Sequence, residues 1–390
     1  MHIADRVLTL PQNKFERIDD KIAKLLKSGA KDLINLGKGN PDGRTPDFIL
    51  DSLHRSVEVK ENQGYTAFSG KKSALEAIAK FYQKNYDVAL DPETEIIAVH
   101  GAVVGLVAAV NSLIDSGQKV VVSDPYYPTY EAATHLAEGI FTPIKVASEN
   151  DFLLKIDDIP TDTDLLLLNY PSNPTGAVAP KAYFSDIVEV AQKNNFTVVH
   201  DFAYSNIGFE ARQCSFLQAT DAKKVGVEIF STSKVYNMAG WRFGFVVGNA
   251  EIIAAIKRYH AQYYSMIFGA VSDAAVTALL SDQSFPKQQL ELYRKRLNLY
   301  QAGFNKLGVE MNVPKGALYV WQPVPKGYTS EEFADLLLEK AHVAVMPGRF
   351  FGEGGEGYIR LSLMIDDAEI VEALNRFAAK DLFRDKIIIK

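Results

Sequence analysis

Short, continuously apolar runs alternate with helical patterns from about residue 45 to 280, and this alternation limits the possible folds more than any other feature of the chain. The runs cover residues 95–99, 119–122, 165–169, 196–200 and 228–230, and helical patterns fall at 103–114, 129–137 and 181–193. A strand wetted on one face alternates apolar and polar side chains, whereas one apolar throughout is covered on both. Repeated strand–helix units of that kind predict an α/β fold, with a mostly parallel central sheet sandwiched by helices. Beyond residue 280 the rhythm changes. A long charged helix over 285–307 is followed by a strand at 317–321, a helix at 330–340, strands at 343–345 and 358–363, and a helix at 366–379. That succession predicts a smaller α+β domain. The expected division is an N-terminal arm and small-domain segment at 1–45, a large domain at 46–282 and a small C-terminal domain at 283–390. The first forty residues are expected to pack on the small domain or on a partner subunit.

A chain of 390 residues is long enough for two cores, and a composition of 47% hydrophobic and 23% charged residues is ordinary for a globular protein. The formal net charge of −6 argues against nucleic acid, whose phosphates call for a basic surface. The single cysteine, Cys214, cannot form an internal disulfide and reads as a small buried or half-buried thiol, consistent with a reducing compartment. Residues 1–11 hold no apolar run of the kind a secretory signal needs, and the longest apolar stretch, 102–110, is too short to span a bilayer. A cytoplasmic location and no membrane partner are expected.

Three patterns imitate nucleotide motifs. GEGGEG at 352–357 satisfies G-x-G-x-x-G but precedes a strand, where a dinucleotide fingerprint opens a helix; it reads as a flexible loop. Gly37 and Gly39 are followed by Asp42 where a third glycine belongs, and the segment ending Gly70-Lys71-Lys72 lacks both the gap and the hydroxyl of a P-loop. Metal-binding spacings such as H-E-x-x-H or C-x-x-C do not occur, so no metal is expected.

Four segments carry chemistry. In STSKVYNMAGWRFG (231–244), Lys234 follows a predicted strand, between Ser231 and Ser233 on one side and Arg242 on the other. Hydroxyls and a guanidinium suit a phosphate, and a lysine beside a bound phosphate cofactor is what Schiff-base chemistry requires. In LLLLNYPSNPTG (165–176), an apolar strand runs into a turn that presents Asn173. In TVVHDFAY (197–204), period-two alternation puts Asp201 on the face of Thr197 and Val199, at the end of a buried strand. A carboxylate there is costly without a positive partner, and a protonated pyridine nitrogen is one. Tyr204 follows three residues later, and His200, on the opposite face, reads as a satisfied core histidine. In HGAVVG (100–105), Gly101 precedes a helix whose first N–H groups can bind phosphate. Taken singly, each segment has a bland reading: a solvated lysine, a plain turn, a core ion pair, an ordinary strand–helix turn. Together they do not.

As a set, S-x-S-K-x(7)-R, N-P-T-G and D-x-A-Y resemble the class I/II aminotransferases of fold type I, over about residues 34–364. The wording INLGKGNPD, YNMAGWR and YIRLS is similar to bacterial methionine-salvage transaminases, and also to the aspartate, alanine and acetyl-diaminopimelate branches. The resemblance implies pyridoxal 5′-phosphate as cofactor. It implies that Lys234 binds the cofactor and shuttles a proton, that Asp201 pairs with the ring nitrogen, and that Asn173 and Tyr204 reach the ring oxygen. Tyr127 would stack on one ring face and Ala203 pack beneath the other. Ser231, Ser233, Arg242 and the Gly101, Ala102, Val103 turn would hold the phosphate, with Tyr65 reaching it from the partner of a homodimer. Arg360 would take the substrate α-carboxylate, aided by backbone at Gly39. The chain departs from the family at Ala102 and Val103, where polar side chains are usual, so backbone N–H groups alone would serve at that turn.

The implied reaction moves the amino group of an L-amino acid to a 2-oxo acid, with a medium apolar or thioether side chain, or an aromatic one, as the expected substrate. A C–S β-elimination lyase on the same scaffold shares nearly every residue. A cofactor-binding regulator fused to a DNA-binding module lacks its helix-turn-helix here. Phe15, Lys38 and Tyr65 are neighbourhoods that could line the side-chain pocket.

Overall fold

A computed structural model describes residues 2–10, 14–264 and 266–385. Met1 and Pro11 of the segment read above for a signal, and residues 386–390 of the small-domain range, lie outside the described residues. Twelve strands are present among those described: β1 Ile34–Asn35, β2 Ile96–Val99, β3 Lys119–Asp124, β4 Ile140–Lys145, β5 Leu165–Leu168, β6 Thr197–Asp201, β7 Gly226–Ser231, β8 Gly244–Gly248, β9 Tyr319–Pro323, β10 Val343–Ala344, β11 Met346–Pro347 and β12 Tyr358–Ser362.

Seven of these form one sheet in the order β2-β8-β7-β6-β5-β3-β4. Pairing is parallel throughout β4-β3-β5-β6-β7, and β8 alone runs antiparallel to both neighbours. Six strands therefore end at one edge. Their side chains divide between two layers by period two. Ile97, Val99, Leu165, Leu167, Val199 and Ile229 pack with the helix Ala102–Leu113 on one face. Ile96, Ala98, Leu166, Leu168, Val198 and Phe230 pack with the helices Lys72–Tyr86 and Lys181–Asn194 on the other. The fold is the α/β sandwich that the apolar runs predict.

Two strands escape that reading. Strand β4 is a sheet edge with no buried residue, and Pro143 interrupts its pattern, so it carries no continuous apolar signal. Strand β8 starts inside the lysine–arginine motif at Gly244, where a Cβ would press on the Phe230 carbonyl oxygen and the backbone of Gly101 and Ala102. Glycine there lets the motif strand lie against the turn before Ala102–Leu113.

The C-terminal region forms a three-stranded antiparallel sheet, β11-β12-β9, over a separate apolar cluster that includes Tyr300, Phe304, Phe333, Leu337 and Phe377. Strand β1 pairs with β10, and the helix Lys14–Lys27 is tied to Ser330–Ala341 by Arg17–Glu331 at 2.9 Å and Lys21–Asp335 at 2.5 Å. The opening segment thus packs against the C-terminal region, as expected. The 352–357 segment is not the loose loop expected. Gly354 and Gly355 are buried, and the Gly354 N–H donates to Asp124 Oδ2 at 2.9 Å.

One buried polar cluster braces the sheet beneath the site. Glu228 of β7 accepts from Tyr82 Oη, Ser215 Oγ and the Phe216 N–H at 2.7 Å each, and lies 2.8 Å from His200 Nδ1. His200 Nε2 meets the Tyr170 carbonyl oxygen at 2.9 Å, so this histidine is a satisfied core residue. Glu228→Ala leaves these groups facing an apolar void and is expected to cost about 3–5 kcal/mol. Urea unfolding of the variant checks this, with Glu228→Gln losing less.

Candidate active site

The C-terminal ends of β2, β3, β5, β6 and β7 border a cleft of about 440 Å³, the size of a small-molecule site. All the candidate site residues line it except Gly101 and Tyr65. Gly101 sits just behind the wall. Its φ of +87° suits glycine, and a Cβ there would overlap the Arg242 guanidinium. Tyr65 lies apart, 89% exposed on the surface.

Asp201 ends β6 with its carboxylate toward the cleft. Tyr130 Oη donates to its Oδ2 at 2.9 Å and the Ala203 N–H to its Oδ1 at 3.2 Å. Burial raises its pKa, against the lowering by those two hydrogen bonds and by nearby His200. Asn169, directly after β5, fastens the floor: its Nδ2 donates to the Asp201 carbonyl at 2.8 Å, and its Oδ1 accepts the Asn173 N–H at 2.8 Å. Strand ends β5 and β6 therefore hold Asp201 and Asn173 in a set relation.

Lys234 follows β7 in the short helix Thr232–Val235, whose start Ser231 caps by accepting the Ser233 N–H at 3.2 Å. The Lys234 ammonium donates to the Gly39 carbonyl oxygen. Burial lowers its pKa first; Tyr319 opposes that shift, and the Arg360 and Arg242 cations add to it. Arg242 holds a left-handed backbone (φ +56°), uncommon outside glycine, and its Nη1 donates to the Ala239 carbonyl at 2.8 Å. Ser231, Ser233, Arg242 and the N-terminal turn of Ala102–Leu113, whose first N–H groups have no intrahelical partner, lie along one end of the cleft.

Arg360, in the middle of β12, enters from the other side. Its Nη1 donates to Asn173 Oδ1 at 2.9 Å and its Nη2 to the Gly37 carbonyl at 3.0 Å. Buried Nε has no partner. The guanidinium lies 4.0 Å from the Tyr319 ring centroid and 4.7 Å from that of Phe351, an aromatic bracket that fixes its plane. With one N–H of each terminal nitrogen engaged and Nε enclosed, the second N–H of Nη1 and of Nη2 is left for an anion. Tyr204 Oη is 3.4 Å from Tyr319 Oη. Burial raises the Tyr204 pKa; in Tyr319, burial is outweighed by Arg360, Lys234 and the Tyr204 hydrogen bond, and the pKa is lowered.

Sequence reading missed Tyr130, Asn169 and Tyr319. The first two stand inside segments already singled out, beside Tyr127 and Asn173, where their type marked nothing special. Tyr319 is a tyrosine in a buried strand, and no local pattern separates it from core. Phe15, Lys38 and Met346 are among the remaining lining residues, Phe15 and Lys38 being two of the three neighbourhoods named from the sequence.

The donor set fits pyridoxal phosphate. Asp201 faces the cleft with no cation bonded to it among the described residues, a glycine cradle brings helix N–H groups against an arginine, a donor set that suits a phosphate, and a half-buried lysine lines the same cleft.

Comparisons with known proteins agree. The aminotransferase class I and II family profile matches residues 31–377. The chain is 42% identical to the L-glutamine–4-(methylsulfanyl)-2-oxobutanoate aminotransferase of Bacillus subtilis (strain 168), over 98% of this chain and 97% of that one. It is 40% identical to an LL-diaminopimelate aminotransferase of Moorella thermoacetica, over 96% and 97%. Among solved structures, substrate-bound BacF from Bacillus subtilis superposes with a TM-score of 0.94 at 36% identity, covering 98% of both chains. Thermus thermophilus aspartate aminotransferase with maleate superposes at 0.91 and 27% identity, covering 97% of this chain and 99% of that one.

The pKa of Lys234 yields a test in cofactor-free protein. A depressed pKa means the neutral, nucleophilic amine forms at lower pH than in free lysine. Capture of pyridoxal (without the phosphate), trapped by borohydride, should reach half-maximum below the pH found for a lysine peptide. Arg360→Gln removes a cation and should move that midpoint up; Tyr319→Phe should move it down.

Proposed function

The chain belongs to the class I and II aminotransferases, and from that premise we propose that the cleft between Asp201, Lys234 and Arg360 is its active site. The protein is a pyridoxal-phosphate-dependent transaminase, moving the amino group of an L-amino acid to a 2-oxo acid. Bound pyridoxal phosphate supplies an aldehyde carbon that captures the amino group and a ring that draws electrons from the α-carbon.

The chain's own residues have these roles in our reading. Asp201, fixed by Tyr130 and the Ala203 N–H, holds the proton on the ring nitrogen. Lys234 moves the proton at the substrate α-carbon, a task that needs the neutral amine its surroundings favour. Arg360 takes the α-carboxylate through the remaining N–H of each terminal nitrogen and so orients the α-C–H bond. Asn173 and Tyr204 face the ring oxygen, while Tyr127 and Ala203 flank the ring. Ser231, Ser233, Arg242 and the Gly101, Ala102, Val103 turn receive the phosphate. Gly39 offers backbone beside Lys234 and the carboxylate. The observation that carries this reading is the convergence of Asp201, Lys234 and Arg360 from three separate segments on one cleft.

Tyr65 belongs to a partner's site in this reading. Its 89% exposure, away from its own cleft, supports a homodimer with a shared active site. Phe15, Ile18 and Met346 add apolar surface to the cleft, suited to a thioether or other medium apolar side chain. The relative named for 4-(methylsulfanyl)-2-oxobutanoate supports that oxo acid as acceptor, and L-glutamine as donor. A cluster built mainly from 293–382 with Ile34 and Leu36, and the pairing of β1 with β10, support a small domain assembled from 1–45 and 283–390 beside a large one at 46–282. Ile18, Trp321, Met346, Phe350 and Phe351 pack on the core of the large one. Among the described residues no helix is long and apolar enough to cross a membrane. A cytoplasmic location is part of this reading, a single half-buried cysteine being suited to a reducing compartment.

Lys234→Ala should lower turnover at least about 100-fold and abolish the visible absorbance of the lysine-bound cofactor; activity near that of the parent would remove the proposed mechanism. A panel of 2-oxo acids with glutamine as donor should give its highest kcat/KM with the thioether acid. Preference for a dicarboxylic acid would contradict the apolar-pocket assignment.

A further inference from the structure

The glycine-rich segment that imitates a dinucleotide motif has a different use here. Strand β3 ends at Asp124, which is buried, and three residues later the chain presents Tyr127 to the cleft. Gly352 and Gly354 fold over the Asp124 carboxyl. The Gly354 N–H donates to Oδ2 at 2.9 Å, and a Cβ on Gly352 would overlap Oδ1. One on Gly354 would press on the Asp124 carbonyl oxygen and lie 3.1 Å from Cγ. Only residues without side chains admit the carboxyl this closely. A second bond runs alongside, from the Tyr126 N–H to the Phe351 carbonyl at 2.7 Å.

The two joined segments serve opposite halves of the site. On one side, the chain beyond Asp124 carries Tyr127 and then Tyr130, which donates to Asp201. On the other, Phe351 is fully buried, with its ring 4.7 Å from the Arg360 guanidinium. A large-sheet strand end and the turn that brackets the carboxylate-facing arginine are thus clasped at one carboxyl.

We propose that Asp124 is a positioning residue that holds Tyr127, at the cofactor, and Arg360, at the substrate carboxylate, in one fixed relation by clasping the Gly352–Gly354 turn. It rests on the roles read above for Tyr127 and Arg360. Asp124 touches neither substrate nor cofactor; it acts through the two segments it joins. Losing the clasp therefore affects both ligands together, unlike a change at either contact residue.

The test compares Asp124→Ala with Arg360→Gln and Tyr127→Ala. KM and kcat are measured for the amino acid, and the dissociation constant of pyridoxal phosphate is measured by titrating cofactor-stripped protein. Asp124→Ala should raise both the KM and the cofactor dissociation constant by about tenfold, a change of about 1.4 kcal/mol in each, with kcat reduced less than about threefold. Arg360→Gln should raise KM chiefly, and Tyr127→Ala the cofactor constant chiefly. If Asp124→Ala moves only one constant, or lowers the melting temperature while moving neither, the positioning role is overturned. If Arg360→Gln leaves KM unchanged, the reading of Arg360 fails first, and the clasp loses its object. Asp124→Ser, which keeps a polar group too short to reach Gly354, repeats the comparison if the alanine variant does not fold. Failure of both to fold would make Asp124 a folding requirement and overturn the proposal.

Discussion

A carboxylate at the end of a buried parallel strand is the constraint on which the site depends. Asp201 sits where the sheet excludes water from one side and the cleft opens on the other, held by Tyr130 and the Ala203 N–H. Burial disfavours its charge, and two hydrogen bonds oppose that only in part. The carboxylate is in effect an unfilled demand for a cation at a stated place. In the proposed mechanism a protonated ring nitrogen is the partner it takes, which would make the ring an electron acceptor. Asn169 and the Glu228–His200 cluster below keep the strand ends from relaxing away from that position.

The opposite wall follows the same logic with reversed sign. Arg360 is buried between two aromatic rings and spends only two of its N–H groups on Asn173 and the Gly37 carbonyl. A buried guanidinium with donors to spare fits an incoming carboxylate in a planar, two-point mode. Between the two walls stands Lys234, whose desolvation and cationic neighbours favour the neutral amine. Anion, amine and cation are thus supplied by β6, the turn after β7, and β12. The groups proposed to hold substrate and cofactor are ones that packing has already oriented.

Most of the residues that line the cleft were legible in the sequence because they sit at strand ends. Lys234, Asp201 and Asn173 each follow an apolar run, so their place at the C-terminal edge could be deduced before any coordinates. Groups that act through tertiary contact were hidden. Tyr319 reaches Arg360 across strands, Tyr130 reaches Asp201 across 71 positions, and neither distance leaves a local pattern. The GEGGEG segment misled in a useful way. Its glycines serve close packing against Asp124, a need for missing side chains that resembles phosphate binding only in composition. Strand β4 was lost for a plainer reason: an exposed edge with Pro143 carries little apolar signal.

The central claim is electronic, that Asp201 keeps a proton on the ring nitrogen of the bound cofactor. Its most direct measurement is the ¹⁵N chemical shift of pyridoxal phosphate labelled at that nitrogen, bound to the parent chain and to Asp201→Ala. The account predicts a protonated nitrogen in the parent at neutral pH and an unprotonated one in the variant. An unprotonated nitrogen in the parent, or the same shift in both, would contradict it.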